Sequence, residues 1–391
     1  MEGGSLKKEL YDYSTVSGIT VSSSAYVQQR DKILDKAFYD VFRQYNKSCH
    51  DKKTLKGYRV YAADGSDIIL PRNPHSDTFL STRNDPTGHN QMHMNALYDL
   101  CNRTYVDALL QTPFEADERT ALITMLERNE FSGKNIIITD RGYESFNLFA
   151  HFIETNGVDF VCRAKNGVGG FSEIKKLPMQ ELDKDIRIEI TTTQTNEDKK
   201  NKRHFIQTGS KKGKINSKNT VIHKWDFPSP YVMNWRVVRF MLDTGDYETI
   251  VTSLSRDEFS VTDIKELYHM RWGIETSFRE LKYFIGLVNL HGKSEKFVAQ
   301  EIYAALTMYN FCERISQVAI IRSSKNSIHI YALNHAMAFY LCRFYYKWKS
   351  ITGHKLIEDI SHYVEPIRPG RKDKRKLRTK AFAGFLYRVA A

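Results

Sequence analysis

The spacing of apolar and polar positions changes character along the chain. Residues 1 to about 50 follow a helical period and are partly amphipathic. Within them Val16–Ala25 reads as a turn leading into a Ser-capped helix, Ala25–Leu34, with Gln28, Gln29, Arg30 and Lys32 on its surface. A helix-turn-helix contact with DNA fits that stretch, but an ordinary solvated helix fits it better, because the motif has no tight sequence code. From Tyr58 the period becomes that of strands. Tyr58–Asp64 is a β-rich run closing in a turn at Asp64-Gly65-Ser66-Asp67, followed by Ile68–Pro71. Met92–Leu100 and Thr104–Leu110 read as two more strands, and Glu115–Arg128 as a helix opened by Pro113. Asn135–Thr139 is almost continuously apolar and ends in Asp140, the pattern of a strand buried on both faces with a carboxylate emerging at its C-terminal end. A helix over Glu144–Asn156 and a strand over Val158–Arg163 complete a β-β-β-α-β-α-β order. That order predicts a mixed sheet flanked by helices.

Between Asn166 and Thr249 the chain turns to alternating strands and polar loops, as in Ile186–Thr193 and Trp235–Leu242, with a turn at Thr244-Gly245-Asp246. Its loops hold Lys199, Lys200, Lys202 and Arg203, then Lys211, Lys212, Lys214 and Lys218. From Thr262 onward the pattern is helical, and a basic tail from Arg368 to Lys380 follows. Such a tail suits phosphates and a solvated terminus equally. The expected organisation is a helical region over 1–55, a catalytic α/β domain over 56–165 and 250–320, a β insertion over 166–249, and a helical C-terminal region over 321–391.

Composition sharpens this picture. Of 391 residues, 41% are hydrophobic and 12% aromatic, enough to pack a core. The formal charge of +12 and pI of about 9.2 point toward a polyanionic partner, nucleic acid first. Five scattered cysteines without Cys-x-x-Cys spacing indicate neither a zinc site nor a disulfide framework; they read as buried thiols in a reducing compartment. The start lacks the apolar region of a signal peptide, and the most apolar late stretch, 328–346, is broken by Asn334, His335 and Arg343, so a soluble intracellular protein without a membrane span is expected. His89 and His93 have a metal-like i, i+4 spacing, but they fall in a loop entering a strand and not on a helix, which argues against zinc.

One segment carries candidate chemistry. Tyr268, Arg271, Glu275 and Lys282 stand at i, i+3, i+7 and i+14, which on one helix is a single stripe about 60° wide at ~100° per residue. Trp272 lies beside it. By charge pattern alone, a solvated face with an Arg271–Glu275 ion pair explains the stripe. Asp64 and Asp140, each expected at a strand end, change that assessment. Three converging carboxylates are costly unless cations neutralise them, and all-oxygen donors favour Mg²⁺ or Mn²⁺. Two such ions activate a nucleophilic oxygen and stabilise the leaving oxygen at a phosphodiester.

The spaced residues Tyr268-x2-Arg271-x3-Glu275-x6-Lys282 resemble the Y-x(2)-R-x(3)-E-x(6)-K motif of the insertion-sequence-4 family of DDE transposases. Asp64-Gly-Ser-Asp-Ile-Ile-Leu-Pro and Ile-Thr-Asp140-Arg-Gly-Tyr look like that family's first and second catalytic segments. The resemblance spans about Ser22 to Arg314. It implies a ribonuclease-H-like fold interrupted by a β domain, and cut-and-paste transposition through a hairpin. Asp64, Asp140 and Glu275 would hold two Mg²⁺ or Mn²⁺ ions, and Tyr268, Arg271 and Lys282 would grip phosphates. Trp272 would support a flipped base. Tyr247 is the nearest counterpart of an aromatic that the family places late in its β insertion. Asp67 is the rival first ligand, which the family match disfavours, and Arg141 and Arg163 are further phosphate candidates. The implied partners are double-stranded DNA, as element ends and target, and a second copy of the chain; the implied location is the bacterial cytoplasm, at the nucleoid. Family members carry a further basic segment before the start seen here, so part of an end-recognition domain is expected to be missing. That opens the alternative of a binding-only derivative that occupies element ends and represses transposition. A structure-selective nuclease of the same fold is a third reading, disfavoured by the Tyr-Arg-Glu-Lys segment.

Overall fold

The computed structural model describes residues 5–49, 53–83, 85–208, 224–321, 330–349 and 351–367. The chain opens with α1 (Leu6–Ser17), α2 (Ser23–Asp31) and α3 (Ala37–Ser48), then β1 (Tyr58–Leu70), β2 (Phe79–Thr82), β3 (Asp85–Asp99) and β4 (Thr104–Gln111). Next come α4 (Glu118–Arg128), β5 (Lys134–Thr139), α5 (Phe146–Glu154), β6 (Val158–Arg163) and α6 (Ser172–Lys175). β7 (Leu182–Thr191), α7 (Asn196–Lys200), β8 (His204–Phe205), β9 (Tyr231–Met241) and β10 (Tyr247–Thr252) follow. The rest is α8 (Val261–His269), α9 (Trp272–Tyr283), α10 (Glu295–Ser316), β11 (Tyr331–Leu333), α11 (His335–Trp348), α12 (Gly353–His362) and β12 (Val364–Pro366). These elements form two compact units. A strand-rich unit takes Lys53–Asp64 and Asp117–Gly273, and a helix-rich unit takes Met1–Lys52, Gly65–Ala116 and Ile274–Ala391.

In the strand-rich unit the first half of β1 runs parallel to β5, and β5 parallel to β6. Beyond β6 the same sheet continues through antiparallel β10, β9 and β7, with β8 at the edge. This is a large mixed sheet flanked by helices. The central strands are apolar because both faces are covered: Val60, Ala62, Ile136, Ile137, Ile138 and Val161 are all fully buried. Helix α5 packs on β6 and on α4. Its Phe149 meets Phe160 at 4.7 Å and Trp235 of β9 edge-on at 5.2 Å, so the core runs from the parallel strands into the 166–249 segment. At the turn into β6, Gly157 has φ +74°, and a Cβ there would stand 2.5 Å from the Gly133 carbonyl. Gly157→Ala is therefore expected to lower stability by about 1–2 kcal/mol or more, from the left-handed backbone alone. A denaturant midpoint unchanged from wild type would contradict this.

In the helix-rich unit α10 is the spine, packed by α3, α11 and β4. Phe42, Leu306, Tyr309, Cys312, Phe339 and Cys342 are fully buried around it. The hairpin of β3 and β4 turns through Arg103, whose φ is +53°. Asn310 of α10 ties to that hairpin, accepting from the Tyr105 N–H and donating to the Tyr105 carbonyl, each at 2.8 Å.

Several expectations need correction. No turn interrupts β1 at Asp64–Asp67: the strand runs on to Leu70, with Asp67 exposed and Ile68 and Leu70 after it buried. One strand more than expected precedes α4, since β2 was not anticipated. α4 begins at Glu118, capped by Asp117, and α5 at Phe146, capped by Ser145, with a short 3₁₀ turn over Arg141–Tyr143 before it. Ser22 does cap α2, but the helix begins at Ser23 and ends at Asp31. Arg30 is not on its surface: it is 8% exposed and bonded to Gln300, Glu301 and the Phe297 carbonyl. His89 and His93 sit within β3, paired with Asp85 and Asp67. Cys49 and Cys101 are half-buried and the other three thiols buried, and none of the five is in a disulfide. The lysines at 211–218 and the basic tail from Arg368 lie outside the described residues, within which no helix is long and apolar enough to cross a membrane.

Candidate active site

The parallel strands set the frame of the site. Tyr58 lies opposite Lys134 and Ala62 opposite Ile138. Carrying that register on by two residues brings Asp64 level with Asp140. On the other side Thr139 lies opposite Cys162, so Asp140 is level with Arg163. Asp64, midway along β1 just past its parallel pairing with β5, Asp140, just past the end of β5, and Arg163, at the end of β6, thus stand in one row, ~5 Å from strand to strand. Ligands of open α/β sheets gather at this edge.

Asp140 is fixed by the turn that follows it. Its Oδ1 accepts from the Gly142 N–H at 2.7 Å, and a Cβ on Gly142 would meet that oxygen at 2.9 Å. The Asp-Arg-Gly order follows from this close approach. Glu118 stands on the other side of Gly142, its Oε2 3.5 Å from the same Cβ position, and the Arg119 Nε donates to the Gly142 carbonyl at 2.9 Å. Tyr143 is buried in the middle of this group. Burial first, and then the charges of Glu118, Asp64 and Asp140, push its hydroxyl well above the usual tyrosine range. Sequence reasoning missed Glu118, because an acid in the first turn of a helix is ordinary dipole chemistry and carries no signal of its own.

Tyr268, Arg271 and Trp272 come together at the same edge, but not on one helical stripe. α8 ends at His269 and α9 begins at Trp272, with Met270 and Arg271 in the break. The single stripe from Tyr268 to Lys282 is therefore corrected to two helices. The guanidinium of Arg271 lies 5.3 Å from the Trp272 ring centroid and 5.9 Å from that of Tyr268. Its Nη1 reaches Asp64 Oδ2 at 3.4 Å, so Arg271 pairs with Asp64. Tyr268 is 6% and Arg271 8% exposed, whereas Trp272 is 42% exposed. Burial raises the Tyr268 hydroxyl to about 12, against the pull of Arg271 and Arg163.

Glu275 and Lys282 belong to the helix-rich unit, on α9. There the Lys282 ammonium donates to Ser66 Oγ at 2.7 Å and to the Asp67 carbonyl at 2.9 Å. Burial lowers its pKa, with Asp67 opposing. Asp67, the rival first ligand, is bonded instead to His93 Nδ1 at 2.8 Å, which holds its carboxyl below the usual range.

Beside the row of strand ends, an open cleft of about 560 Å³ is lined by Arg141, Arg163, Lys165, Asn166 and Tyr247 among others. Arg163 is paired with Glu248 at 2.9 Å. The cleft's loop is tied down by Glu144, which is buried and accepts the N–H groups of Lys165 and Phe171, and by Asn166, which donates to the Tyr247 carbonyl at 3.1 Å. Burial raises the Glu144 carboxyl, with those N–H bonds opposing.

Among the described residues, no group of three or more His, Cys, Asp or Glu side chains is gathered in a way that holds a metal ion. The chemistry of the two level aspartates nevertheless fits Mg²⁺ or Mn²⁺, which are commonly held by one or two carboxylates together with substrate phosphates and water. A cluster of aspartate, glutamate, arginine and an open cationic cleft suits a phosphodiester better than a neutral substrate.

The family model for the transposase DDE domain matches residues 55–311. Among solved structures, the chain is similar to a piggyBac transposase in a synaptic complex with hairpin DNA, at a TM-score of 0.43 and 10% identity, over 90% of this chain and 67% of that one. No curated protein matches.

Proposed function

The chain belongs to the family of proteins carrying a transposase DDE domain, and from that premise we propose that it is a cut-and-paste DNA transposase of the insertion-sequence-4 type, cleaving and joining DNA with Asp64, Asp140 and Glu275. The observation that carries the reading is the parallel register of β1 and β5, which, carried two residues past Ala62 opposite Ile138, brings Asp64 level with Asp140 where β5 ends. Two divalent ions, Mg²⁺ or Mn²⁺, would supply a lowered pKa for the attacking hydroxyl and neutralise charge at the scissile phosphate.

The side chains themselves divide the remaining work. Asp64 and Asp140 hold their carboxylates at one level, the second fixed by Gly142. Arg271 holds Asp64 in the absence of DNA and exchanges it for a phosphate when DNA arrives, a trade of one anion for another within reach of the same guanidinium. Tyr268 and Lys282 contact neighbouring phosphates. Trp272, exposed and backed by Arg271, offers a ring on which an unpaired base stacks, as a hairpin end requires. Tyr247 and the cationic cleft lie close by to receive the displaced strand. Double-stranded element ends are the first substrate and target DNA the second. Two copies of the chain pair the two ends. The organisation expected from sequence, with recognition in 1–55 and chemistry in 56–165 and 250–320, belongs to the same reading.

The test uses purified protein, Mg²⁺ and a labelled duplex carrying the inverted repeats that bracket this gene. The expected products are a nick at the repeat end, a hairpin, and end DNA joined to a target plasmid. Tight binding to the ends without cleavage in Mg²⁺ would replace this reading with a binding-only repressor. Cleavage without any joined product would replace it with a nuclease.

A further inference from the structure

The helix that carries Glu275 is held, inside its own unit, by a polar clamp set in otherwise apolar packing. On α9, Glu280 is 5% exposed, and both its oxygens accept from Arg103 Nη2 at 3.0 Å. Its Oε2 also accepts from the Tyr309 hydroxyl at 2.7 Å, and Tyr309 in turn lies 3.1 Å from the Tyr98 hydroxyl. One turn earlier, Ser277 Oγ is 2.8 Å from the Tyr105 hydroxyl. The Arg103 guanidinium reaches past α9 to Glu313 of α10, at 3.0 Å through Nη2 and 3.1 Å through Nε. Arg103 therefore ties two carboxylates on two helices to the β3–β4 turn, from a left-handed backbone that a non-glycine residue adopts at a cost.

A guanidinium shared by two buried carboxylates is a poor way to gain stability, because desolvation offsets most of the attraction. Its directional bonds do fix register and rotation, which apolar contacts resist weakly. Glu275 lies five residues before Glu280, so a rotation of α9 about its axis carries both together. With side-chain tips ~5–6 Å from the axis, a turn of ~10° moves the Glu275 carboxylate by about 1 Å. A misplacement of that size costs on the order of 10²-fold in rate. We propose that Arg103 is a positioning residue for the reaction: through Glu280 and Glu313 it sets the rotation of α9 and so the place of the Glu275 carboxylate. This rests on the reading of Glu275 as the third acidic residue.

The test compares Arg103→Met, Arg103→Lys, Glu280→Gln and the double variant Arg103→Met/Glu280→Gln in the full chain. Single-turnover nicking, affinity for end DNA, thermal unfolding and amide exchange of residues 274–283 are measured. Arg103→Met is expected to slow nicking about 30–100-fold, with end affinity within threefold and exchange accelerated in α9 more than elsewhere. The double variant removes the carboxylate left unpaired and should recover about tenfold of that loss. Arg103→Lys keeps the charge without the fork and should fall between. Wild-type nicking and α9 exchange in Arg103→Met would overturn the proposal. So would a rate loss matched by equal losses of DNA affinity and global stability with no recovery in the double variant. Wild-type nicking by Glu275→Gln would instead overturn the catalytic reading of that residue, and the same assay scores it.

Discussion

Asp140→Asn is expected to reduce DNA nicking by on the order of 10³-fold or more, because one member of a group that works as a unit is removed. Binding to element ends should stay within a few-fold, and the melting temperature should hold. The structure explains why this variant separates chemistry from folding. Asn keeps an oxygen able to accept the Gly142 N–H that Asp140 Oδ1 accepts at 2.7 Å, so the turn before α5 is preserved. What is lost is the charge beside Asp64. The same assay applies to Asp64→Asn and Glu275→Gln, with one difference. Asp64→Asn also removes the anion that faces Arg271 at 3.4 Å, which lowers the competition with phosphate for that guanidinium and should leave DNA binding equal or tighter. Combined variants should be no worse than single ones. A single variant retaining more than about a tenth of wild-type nicking would sink the three-carboxylate assignment.

Sequence signals reached some parts of this site and not others, for physical reasons that differ from residue to residue. Asp140 was legible because Ile136–Ile138 form a continuous apolar run, the mark of a strand covered on both faces, and a carboxylate at the end of such a run has few other reasons to be there. The strand over Val158–Arg163 was also expected and forms with those bounds. Asp64 was expected at a strand end because Gly65 suggested a turn, and that turn does not form: Asp64 lies within β1. Ile68 and Leu70 are buried on the continuing strand, and their burial overrides the local turn preference of Asp-Gly-Ser-Asp. The break between α8 and α9 has no proline to mark it, so spacing alone implied one helix. Tertiary contact decides it: Arg271 is drawn to Asp64, more than two hundred residues earlier in the chain. Arg103 was silent because its partners are nonlocal. The Arg103 bonds to Glu280 and Glu313 span 177 and 210 residues, distances over which no periodicity carries information.

The segment 166–249 shows the same limit at the level of architecture. Its alternating pattern revealed strands but not what they join. β10 pairs with β6, with Ile250 opposite Arg163, so the sheet that bears Asp140 continues without interruption into β9 and β7. A continuous sheet means that a disturbance on β9 is felt at the strand ends where Asp140 and Arg163 stand, and it makes the buried polar groups of β9 sensitive positions.

Arg236 of β9 is the most consequential of these, and Arg236→Ala is expected to lower the stability of the chain by about 3–5 kcal/mol, the range found when one partner of a buried ion pair is removed. Its side chain is 4% exposed. Nε and Nη2 each donate to a different oxygen of Asp183 at 2.8 Å, and Nη1 donates to the carbonyls of Ser255 and Phe259 at 3.2 and 2.7 Å. One guanidinium thus joins β7 to β9 and holds the loop that delivers α8, and with it Tyr268. Removing it leaves a half-buried carboxylate and buried carbonyls without their donor, each carrying its own desolvation cost. Arg236→Lys should recover only a fraction, since an ammonium cannot match the bidentate fork on Asp183 and reach two carbonyls as well. Denaturant unfolding gives the magnitude. Arg256, on the surface and bonded to the same Asp183 at 3.1 Å, is the internal control: Arg256→Ala should change stability by less than about 1 kcal/mol. Equal effects at 236 and 256 would show that the pairing with Asp183, and not the buried bonds to the α8 loop, accounts for the loss.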